Sequence, residues 1–141
     1  MTNLPPNRSI PDTTIIPELA YADVGEAVAF LALAFGFVER LRIFDHRAQM
    51  TFEGGAIVVM DGAGTTRPTG HRVLVRVPNA REIHDRAKAA GAKILSEPSD
   101  QPFGERQFSV EDPGGHVWVF TETLADVDPA SWGGELRDPG A

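Results

Sequence analysis

Residues 14–21 read as an extended run, Thr14-Ile15-Ile16-Pro17-Glu18-Leu19-Ala20-Tyr21, closed by Asp23 and Gly25, residue types suited to a helix N-terminus. From Glu26 the apolar residues Ala27, Phe30, Leu31, Ala34 and Phe35 recur at spacings of three and four up to Gly36. That pattern predicts a helix with a C-terminal glycine. Three short extended segments follow, roughly 39–44, 49–52 and 56–60, separated by polar or Gly-Gly punctuation. After the loop 61–70 the same order returns. Residues 72–77 alternate strictly, 81–90 carry an apolar side at Ile83, Ala87 and Ala90 before Gly91, and 92–95, 107–110 and 117–120 are the next three strands.

The closing strands show the duplication most plainly: Gly54-Gly55-Ala56-Ile57-Val58-Val59-Met60 aligns with Gly114-Gly115-His116-Val117-Trp118-Val119-Phe120. Two such βαβββ units cannot each bury a sheet face alone. The expected fold is therefore α+β: two tandem βαβββ modules forming a curved eight-stranded mixed sheet, with helices on the convex face and a cleft on the concave one. Strand parity assigns Leu19, Tyr21, Val73, Val75, Val77, Trp118 and Phe120 to the helix side. The opposite parity, facing the cleft, takes Ile16, Glu18 and Ala20; Ile57, Val59 and Asp61; Arg72, Leu74 and Arg76; and Val117, Val119 and Thr121. The chain divides into a flexible N-terminal arm (1–13), one domain (14–123, modules about 14–61 and 71–123) and a C-terminal tail (124–141).

Composition narrows the function. The chain has 141 residues, 42% of them hydrophobic and 23% charged, enough for one self-supporting soluble domain. No cysteine is present, which excludes disulfides, thiolate catalysis and iron–sulfur clusters. A net charge of -7 opposes binding to nucleic acid or an anionic membrane surface. No long apolar run and no basic start followed by an apolar stretch is seen, so a cytoplasmic protein is expected.

Two stretches resemble the vicinal oxygen chelate superfamily, in its glyoxalase/bleomycin-resistance branch. They are Pro17-Glu18-Leu19-Ala20-Tyr21-Ala22-Asp23 leading into Ala34-Phe35-Gly36-Phe37, and Pro102-Phe103-Gly104-Glu105-Arg106 leading into Asp112-Pro113-Gly114-Gly115-His116-Val117-Trp118-Val119-Phe120. The resemblance covers residues 14–123 and implies this fold and a homodimer. Metal-using members place His or Glu at one cleft-facing position in the first and last strand of each module, which map here to Ile16, Val59, Arg72 and Val119. Isoleucine and valine offer no lone pair and a guanidinium repels a cation. Sliding the register by one would bring in His71 for Arg72, but would turn Val73, Val75 and Val77 out of the core. No metal and no cofactor is expected, and glyoxalase or dioxygenase chemistry, which needs a Lewis acid, loses its support.

The remaining candidates are ligand-binding residues: Glu18, Val59, Asp61, Arg72, Leu74, Arg76, Phe103, Phe108 and Val119. Arg72 and Arg76 lie two strand positions apart and can clamp a carboxylate or phosphate, or else pair with Glu18 or Asp61 across the cleft. Glu18 is a candidate general base, an anchor for a cationic ligand, or a carboxylate neutralised by an arginine. Phe103 and Phe108 are rim candidates if the loop 97–106 covers one end of the cleft. Asp112-Pro113-Gly114-Gly115 reads as a tight turn that His116 closes by a hydrogen bond, Trp118 and Phe120 as core, and His46 and His84 as surface residues. Trp132 sits in a tail that either docks on a partner subunit or is disordered. The reading is a metal-independent binder of a small molecule, such as an antibiotic or a related aromatic or cationic compound. A metal-dependent lyase or dioxygenase of the same superfamily is the alternative, and a structural dimer with a filled cleft stays open.

Overall fold

A computed structural model describes residues 4–62 and 71–137. Most of the expected loop 61–70 lies outside the described residues. Each module folds as expected. In the first, β1 (Glu18–Tyr21) leads to α1 (Val24–Phe30), which continues through a π-type turn (Leu31–Phe35), and then to β2 (Val38–Ile43), β3 (Arg47–Phe52) and β4 (Gly55–Asp61). The second contains β5 (Val73–Arg76), α2 (Ala80–Ala89), β6 (Lys93–Asp100), β7 (Glu105–Glu111) and β8 (Val117–Thr123). Asp23 caps α1 by accepting from the Glu26 amide, and Asn79 does the same for α2 through Glu82. These α+β modules each carry a four-stranded mixed sheet, ordered β1-β4-β3-β2 and β5-β8-β7-β6. In each, the first strand pairs parallel with the last and lies at one edge.

One core joins the two halves on the helix side. Phe35, at the end of the first helix, packs on Trp118 and Phe120 of the second sheet, with ring centroids 5.2 and 4.9 Å away. Arg86 of α2 donates to the carbonyls of Leu33 (2.9 Å) and Ala32 (3.2 Å), capping the first helix from the second module. Trp118 and Phe120 are fully buried, as their parity required.

Between the edge strands β1 and β5 there is no ladder. Side chains bridge the seam instead. The carboxylate of Asp112, in the turn before β8, accepts from Tyr21 Oη of β1 (2.5 Å), Trp118 Nε1 (3.0 Å), and the amides of Gly114 (3.0 Å) and His116 (2.9 Å). Four donors thus meet one buried acceptor-only group. His116 Nε2 donates to the Ala20 carbonyl at 2.8 Å, tying the head of β8 to the free edge of β1. Gly114 is required because a Cβ there would sit 2.6 Å from the Tyr21 ring. Burial, then the charge of Asp112 and the hydrogen bond to it, hold the Tyr21 phenol far above its ordinary pKa.

Strand register corrects several expectations. In β4, Val59 pairs with Leu19 and Ala48, and Asp61 with Tyr21, so both lie on the helix side; Val59 is fully buried in the core. The cleft parity belongs to Val58 and Met60, which pair with Glu18 and Ala20. The cause is turn length. Two residues separate Phe52 from its partner Gly55, whereas five separate Glu111 from Val117, so matching the glycine pairs shifts β4 by one and reverses its faces. Phe108 is not a rim residue either: it pairs with Phe120, stacks on it at 5.4 Å and is 1% exposed. The loop 97–106, expected to cover the cleft end beside it, is largely strand. His84 is likewise buried, edge-on to the Phe108 ring at 5.4 Å.

The arm is held to the first sheet around residues 8–11. Gln49 of β3, on the face away from the helices, donates to the Ser9 carbonyl at 2.7 Å, Arg40 donates to that of Arg8 at 3.1 Å, and Pro11 is buried. After β8 the tail folds onto the β6–β7 hairpin, where the amides of Leu124 and Ala125 donate to Gly104 (2.7 and 3.2 Å) and Trp132 meets Phe103 edge-on at 5.7 Å. Gly104 has φ +86°, and a Cβ would lie 2.1 Å from the Ala125 carbonyl oxygen.

Three outcomes test this architecture. Replacing Asp112 by Ala orphans four donors, each costing about 1–3 kcal/mol when buried, so urea unfolding should show a loss of roughly 3 kcal/mol or more. Phe108→Ala should cost roughly 3–5 kcal/mol, whereas Leu74→Ala, on the exposed cleft side, should stay within about 0.5 kcal/mol. Tyr21 is the single tyrosine, and its raised folded pKa favours the protonated native state. Its contribution is therefore intact below the unfolded value of about 10 and declines as pH rises beyond it. Phenolate absorbance should appear together with unfolding, and Tyr21→Phe should remove that alkaline decline.

Candidate functional site

The face opposite the helices is the candidate site. On the first sheet it presents Glu18 and Ala20 from β1, Val58 and Met60 from β4, and Arg47 and Gln49 from β3. On the second it presents Leu74 and Arg76 from β5, Val119 and Thr121 from β8, and Ser109 and Gln107 from β7. Val58 and Val119 make an apolar floor at equivalent places in the two sheets, both nearly buried between their neighbours. Leu74 is 62% exposed, an apolar side chain left open to a ligand.

Polar groups flank that floor. Glu18 is ion-paired with Arg47, so neither Arg72 nor Arg76 neutralises it. Arg47 escaped sequence reasoning because the strand was expected to start at residue 49; a start two residues earlier places it beside Met60, level with Ala20. Arg76 donates to Thr123 Oγ1 at 3.0 Å, a neutral partner. Arg72 precedes β5, is exposed and forms no ion pair among the described residues. Thr121 donates to Glu105 Oε1 at 2.5 Å, where Gln107 also donates at 3.3 Å, and Ser96 and Ser109 share a hydrogen bond of 2.6 Å. The structure thus gathers Glu18, Leu74, Arg76 and Val119 on one face. Val59, Asp61 and Phe108 fall on the other, and Phe103 is packed against Trp132.

Asp61 belongs to a different group, around the N-terminus of α1 with Asp23, Arg42 and Asp45. His116 lies at the seam with its Nδ1 buried and without a hydrogen-bond partner among the described residues, and the His71 ring is 5.7 Å from it. Among the described residues no group of three or more His, Asp or Glu side chains is placed to hold a metal ion. With Val58 in place of Val59, the four mapped positions become Ile16, Val58, Arg72 and Val119. These side chains do not fit a divalent metal: three lack donors and the fourth is a cation. None of the described helices is long and apolar enough to cross a membrane.

The family model for the Glyoxalase/Bleomycin resistance protein/Dioxygenase superfamily matches residues 13–120. Among solved structures, TioX from Micromonospora sp. ML1 is 35% identical, with a TM-score of 0.68 over 79% of this chain and 99% of that one. A glyoxalase-related enzyme from Fulvimarina pelagi is 20% identical, with a TM-score of 0.68 over 83% and 96% of the two chains. The fosfomycin resistance protein FosX from Listeria monocytogenes is 18% identical, with a TM-score of 0.67 over 81% and 93%. The latter two are likenesses of fold. No curated protein matches the chain. The βαβββ duplication, the motifs around β1 and the Asp112 turn, and the family match converge: the chain belongs to the glyoxalase/bleomycin resistance protein/dioxygenase superfamily.

Proposed function

We propose that this protein binds a small organic molecule on its concave face without a metal, in the manner of the antibiotic-sequestering branch of its superfamily. The observation that carries the reading is the chemistry of the four positions where metal-using relatives keep their ligands: Ile16, Val58, Arg72 and Val119. A floor of that kind favours contact with apolar or aromatic surface. Its flanks, the Glu18–Arg47 pair and the arginines Arg72 and Arg76, offer charge to orient a polar substituent. The 35% identity to TioX over 79% of this chain and 99% of that one supports a common concave face, and the ligand sought there is an antibiotic or a related aromatic or cationic compound. A homodimer and a cytoplasmic location belong to the same proposal.

A thermal-shift screen of bleomycin-like and other aromatic or cationic antibiotics tests it. A true ligand at a hundred times its Kd should stabilise the fold by about 2.7 kcal/mol, and Leu74→Glu should weaken that effect. Metal analysis of protein purified without chelator should find no stoichiometric zinc, nickel, manganese or iron. One equivalent per chain, or no shift with any compound class, defeats the reading.

A further inference from the structure

At the end of the seam away from Asp112, the edge strands part around a cavity of about 290 Å3. Pro17 at the head of β1, Phe52 in the β3–β4 hairpin, and Val73 and Val75 of β5 contribute its walls. Val73 and Val75 share the helix-side parity of their partners Trp118 and Phe120. Those partners are fully buried, yet the two valines are only half-buried. The neighbour they lack is the cavity, in a protein interior that is otherwise close-packed. An apolar cavity of roughly 150 Å3 is enough to take up benzene, so this partly open one has room for an aromatic ring with a short polar arm.

Its lining includes one charge of each sign. Glu53 and Arg76 line both this cavity and the adjoining one. Neither forms an ion pair among the described residues, and Arg76 is held only by the Thr123 hydroxyl. Glu53 occupies a left-handed turn position (φ 51°) that glycine or asparagine would fill with less strain. A ligand bearing only a carboxylate would satisfy Arg76 and be opposed by Glu53; one bearing only an amine would meet the reverse. A ligand carrying both satisfies both.

We propose that the seam cavity is a second binding site, adjoining the concave face and sharing Leu74 and Arg76 with it, for a zwitterionic aromatic compound of the amino-acid type. Its ring lies against Phe52, Val73 and Val75, its carboxylate faces Arg76 and its ammonium faces Glu53.

Trp118 borders the cavity, and Trp132 is the only other tryptophan, so a Trp132→Phe protein reports from Trp118 alone. Titration with phenylalanine, 3-phenylpropanoate and phenethylamine should change its emission saturably, with phenylalanine bound about tenfold or more tightly than either singly charged compound. Arg76→Gln should erase the advantage over phenethylamine, and Glu53→Gln the advantage over 3-phenylpropanoate. Val73→Phe should fill the cavity and abolish binding with the circular-dichroism spectrum retained. Calorimetry on the unaltered chain repeats the three titrations, so the comparison stands even if a variant fails to fold. Equal affinity for all three compounds, no heat with any of them, or undiminished binding to folded Val73→Phe overturns the proposal.

Discussion

The structure depends on a single buried carboxylate at a place where backbone pairing is missing. β1 and β5 are free edges, and no ladder closes the gap between them. Asp112 takes over that task by accepting from Tyr21 on one side and from Trp118 and its own turn on the other. The contact is directional. It fixes how far apart the two sheet edges stand, whereas the apolar cluster around Phe35 supplies attraction without a unique geometry. His116 sets the second point by reaching the Ala20 carbonyl. With two points fixed near one end of the seam, the opposite end is left open, and both the cavity and the relation between the two halves of the cleft follow.

Element order, the two helices and the duplicated βαβββ plan were legible because helix and strand periods are local properties of the chain. Parity was legible where a strand carries strict alternation, as in Val73, Val75 and Val77, or bulky aromatics, as in Trp118 and Phe120. It failed in β4, where Ala56, Ile57, Val58, Val59 and Met60 are all apolar and hydrophobicity cannot tell one face from the other. The glycine pairs then served as the ruler, and hairpins of unequal length made it one residue false. Phe108 was misplaced for a related reason. It lies within the strand expected over 107–110, but no alternation there assigned its face, and its nearness to the loop 97–106 pointed to the rim. His84, on a mostly polar helix, gave no sign that the second sheet and the Phe108 ring would cover it.

The arm shows a different limit. Three prolines and no periodicity gave residues 1–13 nothing to pack by themselves, yet Gln49 and Arg40 hold the carbonyls of Ser9 and Arg8. A chain that cannot form its own ladder can still accept hydrogen bonds from side chains, and those donors are far away in sequence. The consequence reaches the candidate site. Gln49 lies on the cleft face of the first sheet and is buried beneath the arm. The open part of the face is therefore weighted toward β1, β4 and the second sheet, where Glu18, Leu74 and Arg76 stand.

The same missing ladder accounts for both spaces in the molecule. An eight-stranded sheet paired throughout would bury the outer edge of β5 and bring Val73 and Val75 into full contact. It would also hold Leu74 and Arg76 rigidly against the first module. Left as a four-residue edge strand, β5 turns its two faces to different surroundings. Leu74 and Arg76 lie on the concave face and Val73 and Val75 on the helix side, and all four line the seam cavity. A metal-binding relative needs its first and last strands fixed closely enough to bring four donors to one ion. Here Ile16, Val58, Arg72 and Val119 stand in those places, side chains that offer an ion no donor, and the seam is anchored at its Asp112 end.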